Sequence, residues 1–331
     1  MNPHQPSSAS STPISTPMST PATTAAAPLI GVVTVTFNSE SFLPEFFASC
    51  RTQTLANFRL YAIDNASRDG SAAALLQEAK TEPRLHVIVN KDNVGVAAGN
   101  NQGILQALAD GCEWVLLLNN DTLFSPALFQ QLLDACEQQQ WPVVVPKMYF
   151  DAPRDSVWYG GGYFNTVRGH TGYHLRMGEK DLGQFDTPTT MDYAPTCCML
   201  VKRSVFETIG LMDETYFVYF DDTDFCWRLR QHKQALGYWP AATLVHKVGG
   251  STGGVTSPFT VRITARNRLY FLRKHFGWWS PWLWLLAFIP YYAGRYLLLK
   301  WSPANFRTSI EGSMAFIKLA PHEPPLPPRR R

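Results

Sequence analysis

Several things that the chain lacks narrow what it can be. Its six cysteines, Cys50, Cys112, Cys136, Cys197, Cys198 and Cys226, contain no C-x-x-C pair and meet no histidine at zinc-finger spacing. That argues against a disulfide framework or a structural metal site, and for a reducing, cytoplasmic setting. Net charge is only +3, and Lys and Arg form no long stripe before the last three residues, so no nucleic-acid partner is expected. The N-terminus lacks the basic start and apolar stretch of a secretory leader. Gly95, Gly99 and Gly103 do not make G-x-G-x-x-G, and they follow the third apolar run where that fingerprint follows the first. A nicotinamide or flavin enzyme is thereby disfavoured.

What is present is a foldable body between two polar ends. With 331 residues, 45% of them hydrophobic and 17% charged, the chain can bury a substantial core. Residues 1–27 are Ser, Thr, Pro and Ala with almost no large apolar side chain; such a segment cannot offset the entropy of ordering and is read as a disordered tail. Residues 319–331, "LAPHEPPLPPRRR", form a Pro/Arg tail without a packable face. Between them, "IGVVTVTF" (30–37), "FRLYAID" (58–64), "LHVIVN" (85–90) and "EWVLLLN" (113–119) are short, apolar and rich in β-branched residues, as strands covered on both faces are. Phe42, Leu43, Phe46, Phe47 and Cys50, and later Ile104, Leu105 and Leu108, recur at helical spacing. This β-α-β-α order predicts an α/β fold with a mostly parallel central sheet flanked by helices.

Ligands in such sheets collect beyond the carboxyl ends of the strands, and there the sequence is polar: "TFNS", "DNASRDGS" and "NKDNVGVAAGNNQG" follow the first three runs. The fourth run ends in "NND", Asn119 to Asp121. A lone carboxylate at the tip of a buried strand, with no basic neighbour in sequence, suits a hard divalent cation, because Mg²⁺ takes few protein carboxylates and fills its shell with water and phosphate. The competing reading makes Asp121 the cap of a helix beginning near Ser125.

Together "VVTVTFNS", "IDNASRDGS", "NVGVAAGNNQG" and "LLLNNDT" resemble the nucleotide-sugar domain of family 2 inverting glycosyltransferases, most of all rhamnosyltransferase-like members, from about Leu29 to His275. The resemblance implies the GT-A, Rossmann-like fold over residues 28–275, with a nucleotide-sugar half (28–123) and an acceptor and catalytic half (124–275). It implies that Thr36, Asn38 and Asp64 contact the nucleoside, Asp64 by accepting from a pyrimidine base. Asn65, Asn93, Gly95 and Gly99 would line the donor pocket, joined by Asn119 and Asn120. Asp121 matches the last acid of the family's D-x-D motif, binding Mg²⁺ or Mn²⁺; the first acid is Asn119 here.

In the second half, "LMDETYFVYFDDTDFCWRLR" (211–230) sets five carboxylates among aromatics. Repulsion and apolar surroundings raise carboxyl pKa values, as a general base requires. By resemblance the base is Asp222, with Asp221 in place of the family's Glu and Asp224, Trp227 and Arg228 supporting the acceptor site. His246, at the end of a strand-like segment before a glycine-rich loop, would join the metal or the diphosphate. Arg266 and Asn267 resemble residues near the donor phosphates, although a solvated basic helix face is a rival reading. Residues 160–195, with "GGGYFN", are expected to shape the acceptor site.

Residues 276–318 are the remaining question. "FGWWSPWLWLLAFIPYYAGRYLLLKW" is aromatic and apolar, but Pro281, Pro290 and Arg295 interrupt it, whereas a spanning helix wants about 20 continuous apolar residues. It reads as a helical segment lying in the membrane interface; a buried helix pair and a span are the alternatives. The expectation is therefore an enzyme at the inner face of the plasma membrane. It would move one sugar from a nucleotide-diphosphate-sugar donor to a saccharide or lipid-linked saccharide acceptor in cell-surface polysaccharide synthesis. A processive synthase fits less well, since Q-x-x-R-W is missing; a non-catalytic scaffold that kept the fold is the alternative from another class.

Overall fold

The computed structural model describes residues 28–247, 257–298 and 302–328. The tail read as disordered, the glycine-rich loop after Lys247 and the terminal arginines lie outside the described residues. The four apolar runs are strands: β1 (Ile30–Thr36), β2 (Phe58–Asp64), β3 (Leu85–Val89) and β4 (Trp114–Leu118). They lie in the order β3-β2-β1-β4, all parallel. The crossovers are helical, α1 (Leu43–Arg51), α2 (Ser71–Glu78) and α3 (Val96–Ala109). Because the chain leaves β1 on one side for β2 and β3 and returns on its other side as β4, a crevice opens at the carboxyl end of β1. One expectation changes: β3 is an edge strand, and Val89 is exposed.

Glycines set how closely α3 lies on the sheet. A β-carbon at Gly103 would sit 2.4 Å from Val33 Cγ1, and one at Gly99 would sit 3.0 Å from both Cγ atoms of Val35. Gly99 is thus a packing residue, and overfilling such a contact costs roughly 1–3 kcal/mol. That close seat is what brings the loop before α3 onto the strand tips.

Beyond β4 the sheet is mixed. After β5 (Thr122–Phe124) and α4 (Leu128–Gln139) come β6 (Val143–Phe150), β7 (Val157–Tyr159), a two-stranded hairpin of β8 (Gly162–Asn165) and β9 (Thr171–His174), β10 (Thr189–Thr190) and β11 (Cys198–Lys202). Then follow α5 (Arg203–Ile209), α6 (Asp221–Gln231) and β12 (Leu236–His246). Strand β11 runs antiparallel between β4 and β6, while β12 is parallel to β6 and antiparallel to β5. One apolar core fills both faces of this sheet.

Helices α7 (Pro258–Phe276), α8 (Ser280–Leu297) and α9 (Pro303–Ala315) close a second, smaller core with Tyr216, Phe220 and Phe316. A β-carbon at Gly312 would lie 2.3 Å from the Arg262 carbonyl oxygen, so α9 approaches α7 through its small residues Ser309, Gly312 and Ser313. Helix α8 buries Trp284 and exposes Trp282, Leu283, Leu286 and Leu297. Among the described residues, no helix is long and apolar enough to cross a membrane. The C-terminal tail corrects an expectation, for residues 319–328 pack. Pro324 and Pro327 are buried, the Pro325 carbonyl accepts from Leu211 N–H at 3.0 Å, and the Leu319 carbonyl accepts from Arg273 at 3.1 Å.

Candidate functional site

The strand tips of β1, β2, β3 and β4 are laced together by polar side chains. Thr36 donates to Asp64 Oδ1 at 3.0 Å, and Asp64 Oδ2 accepts from Ser67 N–H at 3.0 Å. Asn38, held at φ 52°, accepts from Arg68 N–H at 2.8 Å. Asn65 donates to the Gly95 carbonyl at 2.9 Å and accepts from Asn90 at 2.8 Å. Asn93 accepts from Gly95 N–H at 2.9 Å. Gly95 has φ 88°, and a β-carbon there would meet Phe217 at 2.6 Å, so two independent reasons require glycine.

This lacing sorts the residues expected at the donor. Asn38 and Asn119 are exposed and Asn93 is half-buried, whereas Thr36, Asp64, Asn65 and Asn120 are buried. Asn65, Asn120 and Gly99, expected at the donor, serve the scaffold: the two amides bond neighbouring strands and loops, and Gly99 lets α3 approach β1. Asp64 is buried, and each of its oxygens accepts one hydrogen bond and keeps a second lone pair.

The "NND" tip divides three ways. Asn119 turns its side chain to solvent while its N–H donates to the Cys197 carbonyl at 2.8 Å. Asn120 points inward and donates to the Val35 carbonyl at 2.7 Å, tying β4 to β1. Asp121 faces β12, where β5 pairs Thr122 with His246 and Lys247 N–H donates to the Asp121 carbonyl at 2.8 Å. That register sets His246 Nε2 3.2 Å from Asp121 Oδ1. The two atoms do not meet in hydrogen-bond geometry, and Asp121 Oδ1 and His246 Nδ1 are both buried without a hydrogen-bond partner. An unsatisfied buried carboxylate oxygen calls for an explanation, and an ion is one. The donor set of one carboxylate and one imidazole fits a divalent cation that takes its other ligands from phosphate and water. Among the described residues no cluster of three such side chains exists.

Across the cleft, α6 starts from a strained turn. Phe217, Tyr219 and Phe220 have φ of 66°, 61° and 68°, positions costly for bulky side chains unless the surroundings impose them. Asn267 Nδ2 imposes them by reaching the carbonyls of Tyr216, Val218 and Tyr219 at 2.9, 2.9 and 2.8 Å. Arg266 donates to the carbonyls of Thr215 and Tyr216, both at 2.9 Å. Arg266 and Asn267, expected near the donor phosphates, thus hold this turn.

The carboxylates on α6 part company. Burial, then the Asp222 charge, pushes Asp221 up to about 8. Burial also raises Asp222, opposed by hydrogen bonds from Tyr193 (2.7 Å) and from Thr223 N–H and hydroxyl. Burial thus raises both members of the pair, and for Asp222 hydrogen bonds from Tyr193 and Thr223 oppose the rise. Asp224 is fully buried; burial alone would raise it, but Arg228, His275 and Lys274 hold it far below the usual carboxylate range. Arg228 Nε lies 2.8 Å from Asp224, and its remaining nitrogens donate to the Ile209 and Leu211 carbonyls. Asp224 and Arg228, expected to support the acceptor site, are thus a buried ion pair with all these partners inside the protein. Trp227, half-buried, packs on Phe164, His170 and Phe276 and stays at the rim.

Sequence reasoning missed Tyr193, Trp158 and His174 individually. Trp158 packs on His246 at 4.3 Å and on His174 at 4.7 Å between ring centroids, and Tyr193 reaches Asp222. Only the glycine-rich "GGGYFN" hinted at a tight hairpin here. Burial, then Cys198 and the Asp121 and Asp222 charges, raises the Cys197 thiol well above its usual value.

A family model described as Glycosyl transferase family 2 matches residues 31–210. N-acetylglucosaminyl-diphospho-decaprenol L-rhamnosyltransferase of Mycobacterium tuberculosis is 26% identical over 281 residues, 78% of this chain and 89% of that one. The dTDP-rhamnosyl transferase RfbF of Shigella flexneri is 23% identical over 253 residues, 74% of this chain and 80% of that one. Among solved structures, the mannosyltransferase of Pyrobaculum calidifontis in complex with GDP-Man and Mn²⁺ superposes with TM-score 0.55 at 14% identity, covering 88% of this chain and 87% of that one. GalNAc-T7 with UDP, GalNAc and Mn²⁺ gives TM-score 0.57 at 15% identity; 75% of this chain covers 50% of that one.

Proposed function

The chain belongs to glycosyl transferase family 2, with the GT-A fold, and from that premise we propose that it transfers one sugar, with inversion, from a nucleotide-diphosphate sugar to a saccharide or lipid-linked saccharide. It is a glycosyltransferase; the names of its relatives favour a rhamnosyl donor and a lipid-diphosphate acceptor. The observation that carries the mechanism is the pairing of two half-buried acidic groups. One, Asp121 beside His246, has unsatisfied polar atoms; the other, Asp222, is a carboxylate held by hydrogen bonds from Tyr193 and Thr223.

In this reading Asp222 takes the proton from the attacking acceptor hydroxyl. That oxygen bonds to the anomeric carbon as the bond to the diphosphate breaks on the opposite face, and the electron pair leaves with the diphosphate. Asp121 and His246 would hold Mg²⁺ or Mn²⁺. When bound, the cation stabilises the negative charge of the leaving diphosphate. Asn38, Asn93 and Asn119 offer reachable polar atoms to the donor, and Asp64 accepts from a pyrimidine base through a lone pair that Thr36 and Ser67 leave free.

The exposed face of Trp278, Trp279, Trp282, Leu283 and Leu286 supports attachment to a membrane surface, for which the inner leaflet is the expected address. The hairpin β8–β9 connects that face to the base, with His170 stacked on Phe276 at 4.2 Å and Gly169 against Trp284.

Thermal stability against a panel of nucleoside diphosphates, each with Mn²⁺, with Mg²⁺ and with chelator, tests the donor and metal assignments together. A rise with a thymidine or uridine diphosphate that grows with Mn²⁺ and vanishes in His246→Ala is expected. No rise with any nucleotide in folded protein would overturn the reading.

A further inference from the structure

The base of the proposed reaction is held from outside its own helix. Tyr193 donates its hydroxyl to Asp222 Oδ2 at 2.7 Å across 29 residues of chain. The other oxygen, Oδ1, accepts from Thr223 N–H at 2.6 Å and from the Thr223 hydroxyl at 3.2 Å. Each oxygen thus has a fixed partner, and the free lone pairs are the ones left to receive a proton.

Tyr193 is itself seated with care. Its carbonyl accepts from the Tyr159 hydroxyl at 2.7 Å, and its ring lies 6.0 Å from Phe164 and 5.9 Å from His174. Both strands of the hairpin β8–β9 give way to it. A β-carbon at Gly172 would stand 2.2 Å from the Tyr193 ring, and one at Gly162 would stand 2.4 Å from its carbonyl oxygen. These two glycines leave the space that lets the phenol reach α6.

We propose that Tyr193 is a positioning residue for Asp222, fixing the carboxylate plane and favouring its ionised form, and that Gly172 is the steric condition for that contact. The inference rests on Asp222 being the general base. The groups facing Asp222 are Asp221 on its own helix, His174 from β9, Tyr193 itself, and the thiols of Cys197 and Cys226. Burial, followed by the nearby Asp222 charge, raises the Tyr193 phenol well above its usual value, so it stays protonated and can only donate. A bond donated to the charged form lowers a carboxyl pKa; its loss raises it.

The test is a pH titration of the full-length protein carrying ¹³Cγ-aspartate, followed by carbon NMR. The Asp222 signal is identified by its loss in Asp222→Asn. In Tyr193→Phe the Asp222 titration moves upward by about one pH unit, and Gly172→Ala, which keeps the hydroxyl but displaces the ring, moves it the same way. An unchanged titration in either folded variant overturns the inference. Nucleoside diphosphate release from dTDP-rhamnose by Asp222→Asn separates the two levels. Full release there removes Asp222 as the base, whereas lost release with an unmoved Tyr193→Phe titration removes only the role of Tyr193.

Discussion

Two faces within the first turn of α6 hold the same residue type in opposite states. On the hairpin side, Asp221 is raised by burial and then by the Asp222 charge, while Asp222 is raised by burial against hydrogen bonds from a phenol and a threonine. Toward α7, Asp224 is as deeply buried but lies 2.8 Å from Arg228 and Lys274 and 2.7 Å from His275. Lys274 also sits 2.8 Å from Asp213, which Tyr270 reaches at 3.0 Å. Burial is common to both faces; the supply of cations is what differs. A carboxylate short of cations is available for proton transfer, and one surrounded by them is a structural anchor.

The comparison breaks most sharply at Asp222. Asp222→Asn should lower turnover by ~10²–10⁴-fold while leaving the nucleotide-induced thermal shift intact; unchanged turnover would erase the distinction between the faces. Next comes the anchor. Asp224→Asn strips the carboxylate from buried Arg228, leaves Lys274 with Asp213 alone, and should cost about 3–5 kcal/mol in denaturant unfolding. A loss of turnover at unchanged stability would instead return Asp224 to the acceptor site.

The smallest effect sharpens the pair itself. Asp221 has a folded pKa raised to about 8, so its contribution to stability is present below the carboxylate range and is lost as pH rises through 8. Asp221→Asn removes that loss. Its melting temperature should therefore gain on the wild type between about pH 4 and pH 8, and parallel curves would show that Asp221 does not hold the proton.

Much of the donor half was legible. β1, β2 and β4 were readable because a parallel strand buried on both faces must be apolar along its length, the edge strand β3 because its run is short and β-branched, and polar residues after each run mark the edge where ligands bind. Asp121 stood out because it ends such a run without a local counter-charge. The exchange of roles was not legible. Asn119 and Asn120 are the same residue type, yet one faces solvent and one ties β4 to β1. Arg266 and Asn267 read as phosphate ligands until the strained turn at Phe217–Phe220 was seen to need their bonds.

What this sequence determined by itself is local: the strand runs, the helical spacing between them, and the short list of carboxylates available for chemistry. Periodicity and composition act over a few residues, so they are visible in one dimension. The tertiary structure alone decided which carboxylates are anchors and which are free, because the deciding partners come from elsewhere in the chain. Lys274 and His275 on α7 neutralise Asp224, Tyr193 beyond the hairpin meets Asp222, and His246 on β12 meets Asp121. The state of a buried charge is set by the groups within a few ångströms of it, and folding, not spacing along the chain, chooses those groups.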